Sequence, residues 1–284
     1  MTVNQPSRLR LAALLKHGTT LIAPGASDAL SARLIEDAGF PVVYIGSYAT
    51  AASRFGLADV GLLAGLEMIE QARTIVDAVQ VPVIADAENG FQNAASIWRT
   101  VRGFENAGVA AIHIEDHAFG KHAEVPQRIL PLDEALGRIK AALDARTDPN
   151  FLIIARTDAA WALHDHAEAL TRMQAFAEAG ADLVFPTGLT PPQVGAIRNQ
   201  IGKPIVTVDT PGFSIADEEQ AGIAIVLYYG LSLAVQYSAV KEALATLRAK
   251  AHGDQVDGWR DRVAEMEEFL GYKQFAERVR KYGA

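Results

Sequence analysis

Charged residues recur in this chain at the ends of apolar runs. Asp86 and Glu88 follow VPVIA, Glu115 and Asp116 follow AAIHI, and Arg156 and Asp158 follow FLIIA. Carboxylates drawn together from several such runs repel one another and hold protons unless positive charge sits among them. A hard divalent cation is the simplest source of that charge. An oxygen-only set without a His or Cys cluster favours Mg2+ or Mn2+ over zinc, which makes Asp86, Glu88 and Glu115 the candidate metal ligands. The competing reading, acids that cap helices or pair with Arg and Lys, is stronger for Asp28 and Asp158, because both stand where a helix N-cap is wanted. Arg156 is the only cation in the series. An Arg ending a buried strand can grip a substrate carboxylate with two parallel hydrogen bonds, or it can pair with a neighbouring acid.

Other candidates fall at equivalent places. Gly46, Ser47 and Tyr48 follow PVVYI and could offer backbone N–H groups to an oxyanion. Thr187 and Asp209 end two later runs, and Tyr228 and Tyr229 end the last. The polar segment His117 to Leu130 is long enough for a lid, and its Lys121, His122 and Glu124 are candidate acids, bases or substrate contacts. His113 lies within its run and reads as a core histidine that could orient a neighbouring carboxylate.

Eight elements must position these groups. Short β-branched runs occur at Thr20–Ala23, Pro41–Ile45, Val81–Ala85, Ala111–Ile114, Phe151–Ala155, Ala181–Phe185, Pro204–Val208 and Gly222–Leu227. Between them, Ser27–Ala38, Leu62–Ala78, Ala94–Ala107, Leu132–Ala145, Ala167–Ala179 and Pro192–Gln200 carry apolar residues at helical spacing. Strands apolar on both faces that alternate with helices form a parallel sheet, and eight such units close into a (β/α)8 barrel, an α/β fold with its site at the carboxyl ends of the strands. Several helices end in an Ala-Gly pair, where glycine can take the left-handed conformation. Two further helical stretches, Leu231–Lys250 and Gln255–Tyr282, exceed what a barrel needs. The expected division is a barrel over 1–250 and a helical extension over 251–284. Met266, Phe269, Leu270, Tyr272 and Phe275 in the extension are available to cover the chain's own barrel or a neighbouring subunit.

Composition narrows the function classes. Among 284 residues there is no cysteine, so disulfides, thiolate ligands and a cysteine acid or nucleophile are excluded. A net charge of −8 with interleaved signs disfavours nucleic acid and anionic membranes as partners, but not a small anionic substrate, because a local Arg or metal inverts the field. The first residues lack the long apolar stretch of a signal peptide, and no apolar run reaches the roughly 18 residues of a membrane span. The expected location is the cytoplasm.

The segments PGASDALSARLIEDAGF, VPVIADAENGF, AAIHIEDHAFGKH and IIARTDA, in this order, resemble the isocitrate lyase and phosphoenolpyruvate mutase superfamily over nearly the whole length. The resemblance implies a Mg2+-dependent enzyme that handles small 2-oxo or 2-hydroxy acids through an enolpyruvate-like oxyanion. It implies Asp86 as a metal ligand, with Glu88 and Glu115 in the same cluster and Asp59 of GLADVG joining it. Arg156 would bind the substrate carboxylate, and the backbone of Gly46, Ser47 and Tyr48 would hold the carboxylate or oxyanion. Exchange of a C-terminal helix between subunits is common in the superfamily and implies a homodimer or homotetramer. The lyase lid signature Lys-Lys/Arg-Cys-Gly-His is here Lys121-His122-Ala123-Glu124-Val125, so cleavage that relies on a cysteine proton donor is excluded. The usual Asp-Ala-Asp is Asp86-Ala87-Glu88, and Thr187 stands where a Glu or His is usual. The expected function is a metal-dependent C–C lyase or decarboxylase, with Tyr48, His122 or Glu124 as base or proton donor. The alternatives are C–P chemistry on phosphonopyruvate or phosphoenolpyruvate, and binding of an oxo-acid without turnover.

Overall fold

The computed structural model describes residues 5–118, 120–123, 125–250, 256 and 258–283. Its strands are β1 (Leu21–Pro24), β2 (Val43–Ile45), β3 (Val83–Asp86), β4 (Ala111–Glu115), β5 (Leu152–Thr157), β6 (Leu183–Pro186), β7 (Val206–Val208) and β8 (Ile225–Tyr228). Every pairing is parallel. The ladders form two arcs, β2-β3-β4-β5-β6 and β7-β8-β1. Single parallel bridges, Gly25 to Tyr44 and Val184 to Ile205, close the two arcs into the expected barrel.

Alternation along each strand sorts the side chains between two cores. Leu21, Tyr44, Ile84, Ala111, Ile154, Phe185, Val206 and Leu227 fill the barrel interior. Their neighbours Val43, Val83, Ile112, Ile153, Val184 and Val226 point outwards into the layer beneath the helices. That layer holds Ala29–Asp37, Gly65–Val76, Ile97–Ala107, Leu132–Ala145, His166–Glu178, Pro191–Ile197 and Ile215–Ala221. Asp28 caps the first of these, accepting from Ser31 N at 2.7 Å. Gly108 ends Ile97–Ala107 at φ +92°, as the Ala-Gly pair there predicts.

The eight strands match the sequence reading, but all except β2 and β7 end one or two residues further along the chain. Asp86, Glu115 and Arg156 belong to the strands instead of following them, so the pleat fixes their direction. Four features escaped the sequence reading: the helix Gln5–Lys16, the helical turns Ser47–Thr50 and Ala51–Phe55, the turn Ala159–Ala162, and the helix Ile215–Ala221. The stretch expected to run unbroken to Tyr282 is two helices, Trp259–Leu270 and Tyr272–Tyr282, interrupted at Gly271 with φ +90°. Ala251-His252-Gly253-Asp254, which separate the two C-terminal helical stretches in the sequence, lie outside the described residues.

The chain divides into two compact units, Met1–Leu233 and Ala234–Ala284. In the second unit no side chain of Trp259–Leu270 or Tyr272–Tyr282 is buried, and Tyr237, Val240, Leu244, Tyr272 and Phe275 are exposed.

In the first unit, Gln5–Lys16 contributes Leu11 to the interior core and the buried Arg8 to a polar knot. Arg8 donates to Val109 O at 3.1 Å, to Glu105 O, and to Asp148 Oδ2 at 3.1 Å. Glu105 in turn accepts from the Thr147 and Asp148 backbone N–H groups. Removing one member of such a buried pair strands the other, so Arg8→Ala should cost about 3–5 kcal/mol of stability, read from the shift of the urea midpoint.

Candidate active site

Residues that continue the interior face of each strand converge at the carboxyl rim. Asp86 lies two residues beyond Ile84, Arg156 two beyond Ile154, and Glu115 two beyond His113. Asp86 is held by two backbone donors, Glu88 N to Oδ1 at 2.7 Å and Ser47 N to Oδ2 at 3.2 Å. Glu88 stands at φ +49°, an uncommon conformation for a side-chain-bearing residue and one that concentrates at functional sites. His113 is wholly buried and shares a 2.9 Å hydrogen bond between Nε2 and the Tyr44 hydroxyl, while its Nδ1 lies 3.6 Å from Asp86 Oδ1. Burial pushes its pKa down to about 4, so the ring is neutral at neutral pH.

Lys121 reaches in from the lid segment. Its buried ammonium lies 2.5 Å from Glu88 Oε2 and 3.1 Å from Glu115 Oε1. Burial opposes that charge, but Glu115, Asp86 and Glu88 outweigh it and hold the Lys121 pKa well above its ordinary value. Arg156 spends Nε and Nη2 on Asp158, at 2.8 and 3.2 Å, and Nη1 on Glu115 at 3.2 Å. Of the five N–H groups of a guanidinium, two remain for a ligand. Asp158 also meets His117 Nδ1 at 3.0 Å. The sequence offered Asp158 as a helix cap; it stands at the cap position of Ala159–Ala162, but its side chain makes no cap bond and serves Arg156 and His117 instead.

The charges do not balance. Asp59, Asp86, Glu88, Glu115 and Asp158 face Lys121 and Arg156, five acids against two cations. Burial, with Asp86, Glu115 and Asp59 adding to it against Lys121, pushes Glu88 up to about 8. Its Oε1 is buried without a hydrogen-bond partner, as is His113 Nδ1. Burial also opposes the charge on Asp86, and neutral His113 cannot offset it at neutral pH. Lys121, Arg156 and the Glu88 N–H do, and they keep Asp86 ionised, below the usual carboxyl range. One ligand atom each from Asp86, His113 and Glu115 lie within 4.8 Å of one another. An orphaned carboxylate oxygen, an excess of buried acid and a convergent donor set fit a divalent cation, with Asp86, Glu88 and Glu115 as the oxygen donors. The structure adds His113, which the sequence left as a core histidine.

A cavity of about 280 Å3 opens above Asp86. Gly46, Ser47, Tyr48, Asp59, Asp86, Lys121, His122, Arg156, Thr187 and Asp209 all line it. Glu88 and Glu115 line a second cavity, of about 210 Å3, which shares Lys121 with the first. His122 Nε2 lies 3.5 Å from Asp59 Oδ2, and its backbone is left-handed at φ +62°. Burial pushes the His122 pKa down against the pull of Asp59. Glu124 lies outside the described residues. Trp161, absent from the sequence reading, packs tilted against His122 and His117 at ring distances of 4.9 and 5.3 Å.

This barrel, with its acid-rich rim and lid lysine, is that of a known enzyme family. A family model described as phosphoenolpyruvate phosphomutase matches residues 11–248, and the chain belongs to that family. It is 42% identical over 211 residues to the 2,3-dimethylmalate lyase of Eubacterium barkeri, covering 74% of this chain and 70% of that one. It is 34% identical to an oxaloacetate decarboxylase of Rhodopseudomonas palustris, over 87% of each chain. A phosphonopyruvate hydrolase solved with oxalate and Mg2+ superposes with a TM-score of 0.89 at 30% identity, covering 98% of this chain and 99% of that one. The relatives make the chain an enzyme of the carbon–carbon lyase kind.

A carboxyl that titrates near 8 still holds its proton at pH 7, whereas cation binding favours its ionised form. Mg2+ titration at about pH 7 should therefore release close to one proton per chain, and apparent affinity should rise with pH until about 8 and then level off. Calorimetry in two buffers of different ionisation enthalpy reads this directly.

Proposed function

We propose that the chain is a metal-dependent C–C lyase or decarboxylase acting on a small 2-oxo or 2-hydroxy acid through an enolate. The observation that carries this reading is the unbalanced acid cluster with its orphaned Glu88 oxygen, set beside an arginine that keeps two donors free. Asp86, Glu88 and Glu115 would hold Mg2+ or Mn2+. Bound there, the cation supplies Lewis-acid stabilisation of negative charge developing on the 2-oxo oxygen.

The remaining work belongs to the chain's own groups. The two free N–H groups of Arg156 bind the substrate carboxylate, and the backbone around Gly46, Ser47 and Tyr48 faces the same end. For a 3-carboxy-2-oxo acid, the bond to the leaving carboxylate breaks, carbon dioxide departs, and the electron pair passes to the enolate until C3 is protonated. For a 2-hydroxy acid, a base takes the hydroxyl proton, the C2–C3 bond breaks, C2 becomes the carbonyl carbon and C3 receives a proton. His122 beside Asp59 is the proton donor, standing in for the cysteine that the chain lacks; Tyr48 and Glu124 are candidates for the base. Thr187 and Asp209 contact the far end of the substrate. Lys121 donates to Glu88 and Glu115 and lies between the two cavities.

The likeness to phosphonopyruvate hydrolase supports a second reading, C–P cleavage or transfer at the same site. The site works in the cytoplasm, in a homodimer or homotetramer whose contacts cover the exposed aromatic residues of the C-terminal helices.

An assay of pyruvate, carbon dioxide and phosphate release, with Mg2+ or Mn2+ and an EDTA control, should detect turnover of oxaloacetate, a substituted malate or citramalate. Asp86→Ala and Arg156→Lys should each lower kcat/KM by about 100-fold or more. Phosphate release from phosphonopyruvate alone would replace this reading with the second one.

A further inference from the structure

The cavity wall is divided by strand. Asp86, Lys121 and Arg156, all its fixed charges save Asp59 and Asp209, come from β3 to β5 and the lid. The opposite half comes from the ends of β6 to β8 and from the turn after β5; it presents Trp161, Leu189, Val208, Pro211 and Tyr229, with the hydroxyls of Thr187 and Thr210 and the Asp209 carboxylate among them. Tyr229 stacks edge-on against Tyr48, at a ring distance of 5.5 Å.

Trp161 is set in place by a close backbone approach. A Cβ on Gly188 would lie 2.8 Å from Trp161 N and 2.9 Å from its Cα and Cβ, and Gly188 itself holds φ +92°. Only glycine allows the turn carrying Trp161 to settle on the end of β6. The indole then bridges that wall and the lid imidazole of His122.

This half holds no cation among the described lining residues. Lys121 is committed to Glu88 and Glu115, and Arg156 keeps only two donors after Asp158 and Glu115. The one charged group on the wall, Asp209, repels a carboxylate, and burial already pushes its pKa up.

We infer that the β6–β8 half of the cavity is a subsite for an uncharged, apolar substituent, with Trp161 as its wall. On the lyase reading above, on which this rests, the substrates are alkyl- or aryl-substituted dicarboxylic 2-oxo or 2-hydroxy acids. One carboxylate goes to the metal end and one to Arg156. A third carboxylate would be desolvated against indole, leucine and an acid with nothing to pair it, a cost that separates substrates strongly.

The test is a series of malates bearing hydrogen, methyl, ethyl and propyl at C3, with 2-methylisocitrate as the tricarboxylic comparison. Turnover and Mg2+-supported binding by calorimetry are both measured. Each added methylene should raise kcat/KM and affinity about three- to fourfold until the space is filled, and 2-methylisocitrate should fall at least about 100-fold below the best alkyl acid. Trp161→Ala should flatten the series, read as the ratio of substituted to unsubstituted malate, and Leu189→Ala should flatten it in part. Tighter binding along the series without turnover would sink the lyase reading and leave the subsite standing. Turnover or binding that stays flat or falls along the series in the unaltered enzyme, or that favours 2-methylisocitrate, overturns the subsite.

Discussion

The site depends on keeping charge in a place that water barely reaches. Five acids gather at the rim of one barrel, and isolated burial of even one would be costly. The chain meets this with two long cations anchored in different ways. Arg156 rises from the floor of the site on β5 and is fixed by a fork onto Asp158. Lys121 descends from the lid and is fixed by Glu88 and Glu115. The arginine is thus part of the scaffold, whereas the lysine ties a connecting segment to it. The lid therefore owes its place to the same electrostatics that prepare the site for a cation.

The backbone supplies precision that the charges alone could not. Asp86 accepts from Glu88 N and Ser47 N, so both of its oxygens are aimed by groups that carry no net charge and cannot titrate. Tyr44 and His113 lie directly beneath and share a hydrogen bond. Phe185 completes the floor, edge-on to His113 and beneath the Arg156 guanidinium. The polar rim rests on an aromatic layer, which excludes water from below and strengthens every interaction above it.

Much of the fold was legible because buried parallel strands leave an unmistakable trace, short β-branched runs with no polar face. The chemistry was legible wherever it rested on residue type, as with Asp86, Glu88, Glu115 and Arg156. What could not be read was direction and company. Asp158 looked like a helix cap because its position is a cap position, and only the fold shows Arg156 and His117 beside it. Arg8 gave no signal, since its partners Val109 and Asp148 lie more than a hundred residues away. Trp161 gave no signal at all; its role comes from Gly188, and a glycine after a strand has many possible meanings.

The two arcs of the barrel meet at single bridges, one beside Gly25 and one beside Val184. Elsewhere neighbouring strands share at least three residues of register. The whole charge network hangs from the longer arc, while Val208, Pro211 and Tyr229 belong to the shorter one. A seam with one rung resists sliding less than a full ladder does. Trp161 and Leu189 stand on the longer arc with the charges, so the seam runs through the substituent wall, and the part of that wall beyond it can shift without disturbing the groups that do the chemistry. Substitutions at Val208, Pro211 or Tyr229 would then alter what the cavity accepts while leaving Asp86 and Arg156 where they are.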